Sequence, residues 1–240
     1  MSRWRRVLEP ITRYAGFPCI SCSSWCNASS GICARCYAYL PHIAHRCRSC
    51  ALPLPGPLAR CHLCATRDPV LSCVLVNLRY EGLARDLIIA LKFNAKLWAA
   101  RTLARLMLTQ GIDLEGEYSL IPIPSVARRL RDRGYNPAHE LASCLGNLGG
   151  WPVVAGALRR RGYQPPQSTL KEPAERERNV RGVFAIDDAQ TIPANVCLID
   201  DVMTTGATLR AAAQCCLENG ASNVVACLAT RAGLSHNPLI

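Results

Sequence analysis

Four Cys-x-x-Cys pairs stand in the first 64 residues: Cys19 with Cys22, Cys33 with Cys36, Cys47 with Cys50, and Cys61 with Cys64. A two-residue gap lets both thiolates of a pair turn onto one tetrahedral ion while backbone amides face the sulfurs. The start, MSRWRRVLEPITRYAGFP, is basic and has no apolar h-region, so no signal peptide is read and disulfides are disfavoured. Eight thiolates are enough for two four-cysteine sites, and two structural Zn2+ ions are expected. Sequential pairing, first pair with second and third with fourth, closes the shorter loops, while crossed pairing stays open. Cys26 is an alternative ligand beside the first pair, and His42, His45 and His62 are further substitutes.

The formal charge of +11 is carried almost entirely by arginine, the only lysines being Lys92, Lys96 and Lys171. Arginine suits bidentate capture of phosphate and carboxylate, although a GC-rich genome would enrich it equally. Residues 1–66 hold eight Arg against one Glu, a formal +7. Two Zn2+ ions in four-thiolate sites would bring this down to about +3, so DNA binding does not follow from the raw charge. Half of the residues are hydrophobic and under a fifth are charged, as in a folded chain. No window reaches the roughly 18 to 20 apolar residues of a membrane helix, so a soluble cytoplasmic protein is expected.

The cysteine pairs end near Thr66–Pro69, which divides the chain into a module at 1–66 and a second domain at 67–240. In the module, Val7, Leu8, Ile11, Tyr14 and Ala15 have helical spacing, and ALPLPGPLAR (51–60) reads as an irregular loop. In the second domain, LSCVLVNLRY, YSLIPIP, WPVVAGAL, GVFAI, ANVCLID and NVVACLA read as strands. EGLARDLIIALKF places Leu83, Leu87, Ile88 and Leu91 on one helical face, and KLWAARTLARLMLTQG is a helix closed by Gly111. A basic turn and helix span 125–150, a helix runs from about 207 to 219, and 159–181 is a charged, exposed excursion. Alternating strands and helices predict an α/β fold with a parallel sheet, ligands binding at the carboxyl ends of its strands.

At one such end stands VCLIDDVMTTGATL (196–209). VCLID reads as a central strand buried on both faces, and DVMTTGATL as the loop into the next helix. Asp200 and Asp201 are adjacent, with no Arg or Lys between Arg181 and Arg210 to offset them. Thr204, Thr205, Gly206, Ala207 and Thr208 can turn backbone N–H groups and hydroxyls onto an anion at the helix N-terminus. This is a phosphate cradle but not a Walker loop, since the motif has no lysine. Helix capping explains one acid or threonine but not two acids and three threonines around a glycine. Carboxylates accept hydrogen bonds from hydroxyls and hold Mg2+ through water, so the pair suits a ribose 5-phosphate.

LIDDVMTTGATL resembles the phosphoribosyl diphosphate (PRPP) motif of type I phosphoribosyltransferases. The chain as a whole resembles the ComF/GntX family, on the cysteine pairs, LKF (91–93), IPIPSVARRLRDRGYN (121–136) and QSTLKEPAERERNVRGVFAI (167–186). The resemblance implies a type I phosphoribosyltransferase-like domain behind a double zinc ribbon. It assigns Asp200 and Asp201 to the ribose hydroxyls as catalytic residues, and residues 204–208 to the 5-phosphate. Pro124, Ser125, Arg128 and Arg129 fall on the diphosphate side, and Arg176, Arg178 and Asn179 in a closing loop. The family reads R-G-[FY]-N-Q where this chain has Pro137 in place of the glutamine, so that amide is missing.

The resemblance favours an enzyme, a pentosyltransferase that moves phosphoribosyl from PRPP, with Mg2+, to a nitrogenous acceptor the sequence does not name. It also points to competence and DNA uptake, with single-stranded DNA and DNA-uptake proteins as further partners. The alternative is a non-catalytic PRPP- or single-stranded-DNA-binding accessory factor. Arginines at 128–133 and 159–161 suit single-stranded DNA, but only Tyr135 and Tyr163 offer stacking platforms there. A purely structural zinc protein would leave the aspartate pair unexplained.

Overall fold

The structure is a computed structural model that describes residues 16–66, 69–112, 114, 116–161, 182–187 and 190–233. The expected helix at 7–15, most of the charged excursion and its Arg176, Arg178 and Asn179 lie outside the described residues.

The cysteine-rich segment is built from small pieces: β1 (Phe17–Pro18) paired with β2 (Trp25–Cys26), α1 (Ala34–Ala38) and α2 (His62–Ala65). It packs directly on the rest of the chain. Cys19, Ile32 and Leu40 share a core cluster with the helix that carries Leu103 and Met107. Residues 41–48 run beside the first strand of the main sheet, β3 (Cys73–Leu75). Ile43 N donates to Asn77 O, Val74 N to Arg48 O, and Arg46 Nη1 to Asn77 Oδ1 at 2.6 Å. An otherwise open sheet edge is covered in this way.

After β3 come α3 (Gly82–Phe93), α4 (Trp98–Thr109), β4 (Ser119–Pro122), α5 (Ala127–Arg133) and α6 (Pro137–Gly149). Next are β5 (Leu158–Arg160), β6 (Phe184–Ile186), β7 (Asn195–Met203), α7 (Ala207–Glu218) and β8 (Asn223–Arg231). The main sheet has the order β3-β8-β7-β4, and every neighbouring pair is parallel. This is the expected α/β architecture, with a cysteine-rich N-terminal segment. Central β7 and β8 read as continuous apolar runs because helices or hairpin cover both of their faces. Cys197 and Ile199 point into the core formed with α3, α4 and α6, while Val196 and Leu198 point to the side of α7 and β6.

Two expectations change. WPVVAGAL is not a strand of the sheet: Val153 makes a single bridge to Leu120, and the regular strand begins only at Leu158. Pro152 has no N–H to donate, and Gly156 at φ +82° breaks the run. GVFAI supplies β6, which pairs antiparallel with β5 in a separate hairpin, so Arg159 and Arg160 belong to a strand rather than to an exposed excursion.

Candidate functional site

Strand β7 does not stop at Asp200. It continues to Met203, still paired with β8 at Val202–Thr230 and Met203–Arg231, so both aspartates are strand residues. The pleat sends successive side chains to opposite faces. Asp201 turns toward α3, where Lys92 Nζ stands 2.7 Å from its Oδ1, with side-chain exposures of 23% and 6%. The aspartate pair is therefore compensated, by a lysine far away in sequence. Asp200 faces the hairpin side, and its Oδ1 accepts from Asp201 N at 2.9 Å. Burial and the neighbouring Asp201 charge push the Asp200 carboxyl up to about 7, against the pull of Lys92. Across from it, burial depresses Arg160 while the Asp200 charge opposes the shift and Arg129 adds to it.

Gly206 makes the turn from β7 into α7. It holds φ +75°, and a Cβ there would lie 2.4 Å from Met203 Cε. Any side chain would meet both the left-handed backbone and that contact. Thr205 Oγ1 accepts from Ala207 N at 3.4 Å, and Arg210 Nη1 donates to Thr205 O at 3.1 Å. The first turn of this twelve-residue helix leaves N–H groups without intrahelical acceptors and carries positive partial charge.

These elements line a cleft of about 270 Å³. Asp200, Asp201, Thr204 and Thr208 line it from the end of β7 and the head of α7, and Pro124, Ser125 and Arg129 from the segment after β4. Thr205 and Gly206 lie in the adjoining turn, and Ala207 opens α7 beside a separate hollow that includes Arg161 and Arg210. Arg128 is not in the cleft: it is exposed and stands 3.9 Å from Asp132 one helical turn on. Lys92, Asn136 and Tyr80 join the lining without having been singled out from the sequence as site residues, as do Arg133 and Arg160, which the sequence offers only within arginine clusters suited to single-stranded DNA.

Asn136 explains how the loop after β4 is held. Its Nδ2 donates to Ile123 O at 2.9 Å, and its Oδ1 accepts from Ser125 Oγ at 2.9 Å and from Ala138 N at 3.2 Å. It is thus both the N-cap of α6 and a clamp on Pro124–Ser125. Pro137 occupies the first helical position, where its missing N–H would have no intrahelical acceptor and its fixed φ suits the helix. Arg133 lies 5.6 Å from the Phe93 ring centroid and 6.0 Å from that of Tyr135, whose hydroxyl donates to Leu91 O.

The cysteines gather as Cys19, Cys22, Cys33 and Cys36, and as Cys47, Cys50, Cys61 and Cys64, each set with its ligand atoms within 4.8 Å of one another. The pairing is sequential, and Cys26, His42, His45 and His62 stand outside both sets. A tetrahedral Zn2+ with bonds of about 2.3 Å holds its sulfurs about 3.8 Å apart. Cys22–Cys33 and Cys50–Cys61 are each separated by 3.7 Å, so the donor sets fit that ion and could bind it. Ser23 (φ 59°) and Ala51 (φ 53°) follow the second cysteine of their knuckles in the left-handed region, closing turns onto Cys19 O and Cys47 O. Burial works to raise the Cys47 thiol, but amides of Cys61, Cys50 and Ser49 outweigh it and bring it down to about 7. Among the described residues, no helix is long and apolar enough to cross a membrane.

No family model matches the chain. It is 35% identical to Competence protein ComFC of Bacillus subtilis over 103 residues, which span 43% of this chain and 40% of that relative. It is 26% identical to Competence protein F of Haemophilus influenzae over 211 residues, 83% of this chain and 90% of the relative. DNA utilization protein YhgH of Salmonella typhimurium is 29% identical over 145 residues, 56% of this chain and 61% of the relative. Among solved structures, it is similar to the glutamine PRPP amidotransferase from B. subtilis complexed with ADP and GMP, at 22% identity and a TM-score of 0.37 over 54% of this chain and 26% of that one. A hypoxanthine-guanine phosphoribosyltransferase from L. donovani matches at 13% identity and a TM-score of 0.29 over 56% of this chain and 67% of that one. The chain is thus a relative by sequence of the ComF-type competence proteins, and its two four-cysteine clusters are consistent with a double zinc ribbon.

Proposed function

We propose that the cleft binds PRPP with Mg2+ and that the chain, a zinc-ribbon module at 1–66 ahead of a phosphoribosyltransferase-like domain at 67–240, transfers phosphoribosyl to a nitrogenous acceptor. The names of its relatives support a role in competence and the uptake or use of DNA. The observation that carries the reading is that one cleft is lined by two carboxylates at the end of β7, by Thr204 and Thr208 at the head of α7, and by Pro124, Ser125 and Arg129 of the segment after β4. A ribose between a 5-phosphate and a 1-diphosphate presents hydroxyls and two anionic ends, which such a set of groups would meet.

In this reading, Asp200 and Asp201 accept hydrogen bonds from the ribose hydroxyls, and residues 204–208 hold the 5-phosphate through backbone N–H groups and hydroxyls. Arg129, Arg133 and Arg160 supply positive charge toward the diphosphate. The carboxyl of Asp200, open to the cleft, would hold hydrated Mg2+, which supplies charge neutralisation to the diphosphate when bound. Transfer forms a bond from C1 to the acceptor nitrogen as the C1–O bond breaks. Diphosphate leaves with the electron pair, and the nitrogen gives its proton to solvent. The protein contributes position and electrostatics rather than a covalent intermediate.

The test is release of diphosphate from PRPP in the presence of Mg2+ and a panel of nitrogenous bases. Turnover that disappears in Asp200→Asn/Asp201→Asn supports the transferase. Saturable PRPP binding with no release against any base supports a PRPP-binding accessory factor, and absence of PRPP binding rejects both PRPP readings. A nucleic-acid role requires affinity for single-stranded DNA that falls steeply with salt.

A further inference from the structure

Arg231 closes β8, and no more than 2% of it is exposed. Burying a guanidinium is costly unless its donors and its charge are both matched. Its donors reach three carbonyls: Nε to Cys50 O at 3.1 Å, Nη1 to Met203 O at 3.1 Å, and Nη1 to Ala232 O. Carbonyls satisfy hydrogen bonds but do not neutralise a charge. Among the described residues, no carboxylate forms an ion pair with Arg231. Cys50, whose carbonyl it bonds, belongs to the second cysteine cluster, and thiolates there around a metal ion would supply the missing counter-charge.

The other end of this arrangement is the proposed phosphate cradle. Met203 O accepts from Arg231 Nη1 and also from Ala232 N at 2.9 Å, and the cradle begins at the next residue. Met203 is also the side chain that packs under Gly206. Tyr80, on the cleft wall, donates its N–H to Arg231 O at 2.9 Å. One side chain therefore spans from the knuckle backbone at Cys50 to the stem of the turn that opens α7. Among the described residues the first cluster has no such link: Cys19 and Ile32 pack on the side of α3 and α4.

We propose that Arg231 is a positioning residue that makes the shape of the Thr204–Thr208 turn depend on an intact second cysteine cluster. Four thiolates around Zn2+ carry a net negative charge that a buried guanidinium offsets, so the cluster holds Arg231 in place and Arg231 holds Met203. Loss of the cluster would leave a buried cation without its counter-charge, and the guanidinium would leave the Met203 carbonyl to regain water. The second cluster would thus set the geometry of the turn from a distance, whereas the first would not.

The consequence for ligand binding rests on the PRPP reading above; the coupling itself can be read without any ligand. Amide hydrogen exchange is followed in the full chain at Arg210, whose N–H bonds Gly206 O, and at Ala232, whose N–H bonds Met203 O. Val225–Cys227 in the middle of β8 serve as internal reference. In Cys64→Ser, and in Arg231→Met, exchange at Arg210 and Ala232 should quicken about tenfold relative to the reference, the effect of losing a charge-assisted hydrogen bond. Arg231→Lys keeps the charge but not the three-way span, and should retain the second zinc while still loosening the turn. Cys22→Ser, in the first cluster, should leave both amides unchanged. Equal exchange at the turn and the reference in Cys64→Ser and Arg231→Lys would overturn the proposal, as would an equal response to Cys22→Ser. If the coupling appears but the wild-type protein fails to bind PRPP, the PRPP reading falls and the Arg231 link stands.

Discussion

Lys92 Nζ meets Asp201 Oδ1 at 2.7 Å across the gap between the last turn of α3 and the end of β7. Both residues line the cleft, so the same contact pairs two largely buried charges and occupies a carboxylate of the proposed ribose site.

Removing one partner of this largely buried pair leaves the other without compensation. Lys92→Met should lower unfolding free energy by about 1–3 kcal/mol in urea titration. Lys92→Met combined with Asp201→Asn should cost less than the sum of the two single changes. Additive losses would show that the contact contributes nothing.

Asp200 gives a pH signature. In the folded chain it holds its proton up to about 7, whereas an unfolded aspartate releases it near pH 4. Between those values the folded state binds more protons, so stability falls as pH rises from about 4 to about 7. Asp200→Asn should remove that part of the slope, measured as the difference between the two proteins in denaturant midpoint against pH.

Asn136→Ala takes away a helix cap and the clamp on the Pro124–Ser125 loop together. A loss of about 1 kcal/mol is expected in thermal unfolding from the cap alone. PRPP affinity should weaken as well, because this loop of the cleft is no longer held.

Gly206→Ala forces a side chain into the left-handed region against Met203 Cε. The expected cost is about 1–2 kcal/mol of stability. Calorimetry should show weaker phosphate-ligand binding than in a control change at Gly150, which closes α6.

Elemental analysis of the purified protein should find about two zinc ions per chain. Cys22→Ser and Cys64→Ser should each lose one, since the two fours are separate. Chelation of the first site should also expose Ile32 and Leu40, which it holds against the core.

The elements of this fold that are legible in the sequence are those whose signal is local. Continuous apolar runs mark β7 and β8 because both faces of these strands are buried, and Cys-x-x-Cys spacing marks the knuckles because each pair closes its own turn. Partners brought together by the tertiary fold are not legible. Lys92 stands in the LKF stretch that carries the family resemblance, but nothing local connects it to Asp201. Val202 and Met203 look like the start of a loop, which hides the fact that the pleat separates Asp200 from Asp201. The antiparallel β5–β6 pair joins two short segments far apart in sequence, and neither carries a signal that distinguishes it from a strand of the main sheet. Arg231 reads as another basic residue at a strand end, and nothing local connects it to Cys50 or Met203.

Isothermal titration of the ligand-free, zinc-loaded protein with PRPP and Mg2+ decides whether this cleft is a ribose-phosphate site. Saturable binding at one site per chain, abolished in Asp200→Asn/Asp201→Asn while that variant stays folded and retains its zinc, is the expected result. No heat of binding in the wild type, or the same affinity in the double variant, would contradict it.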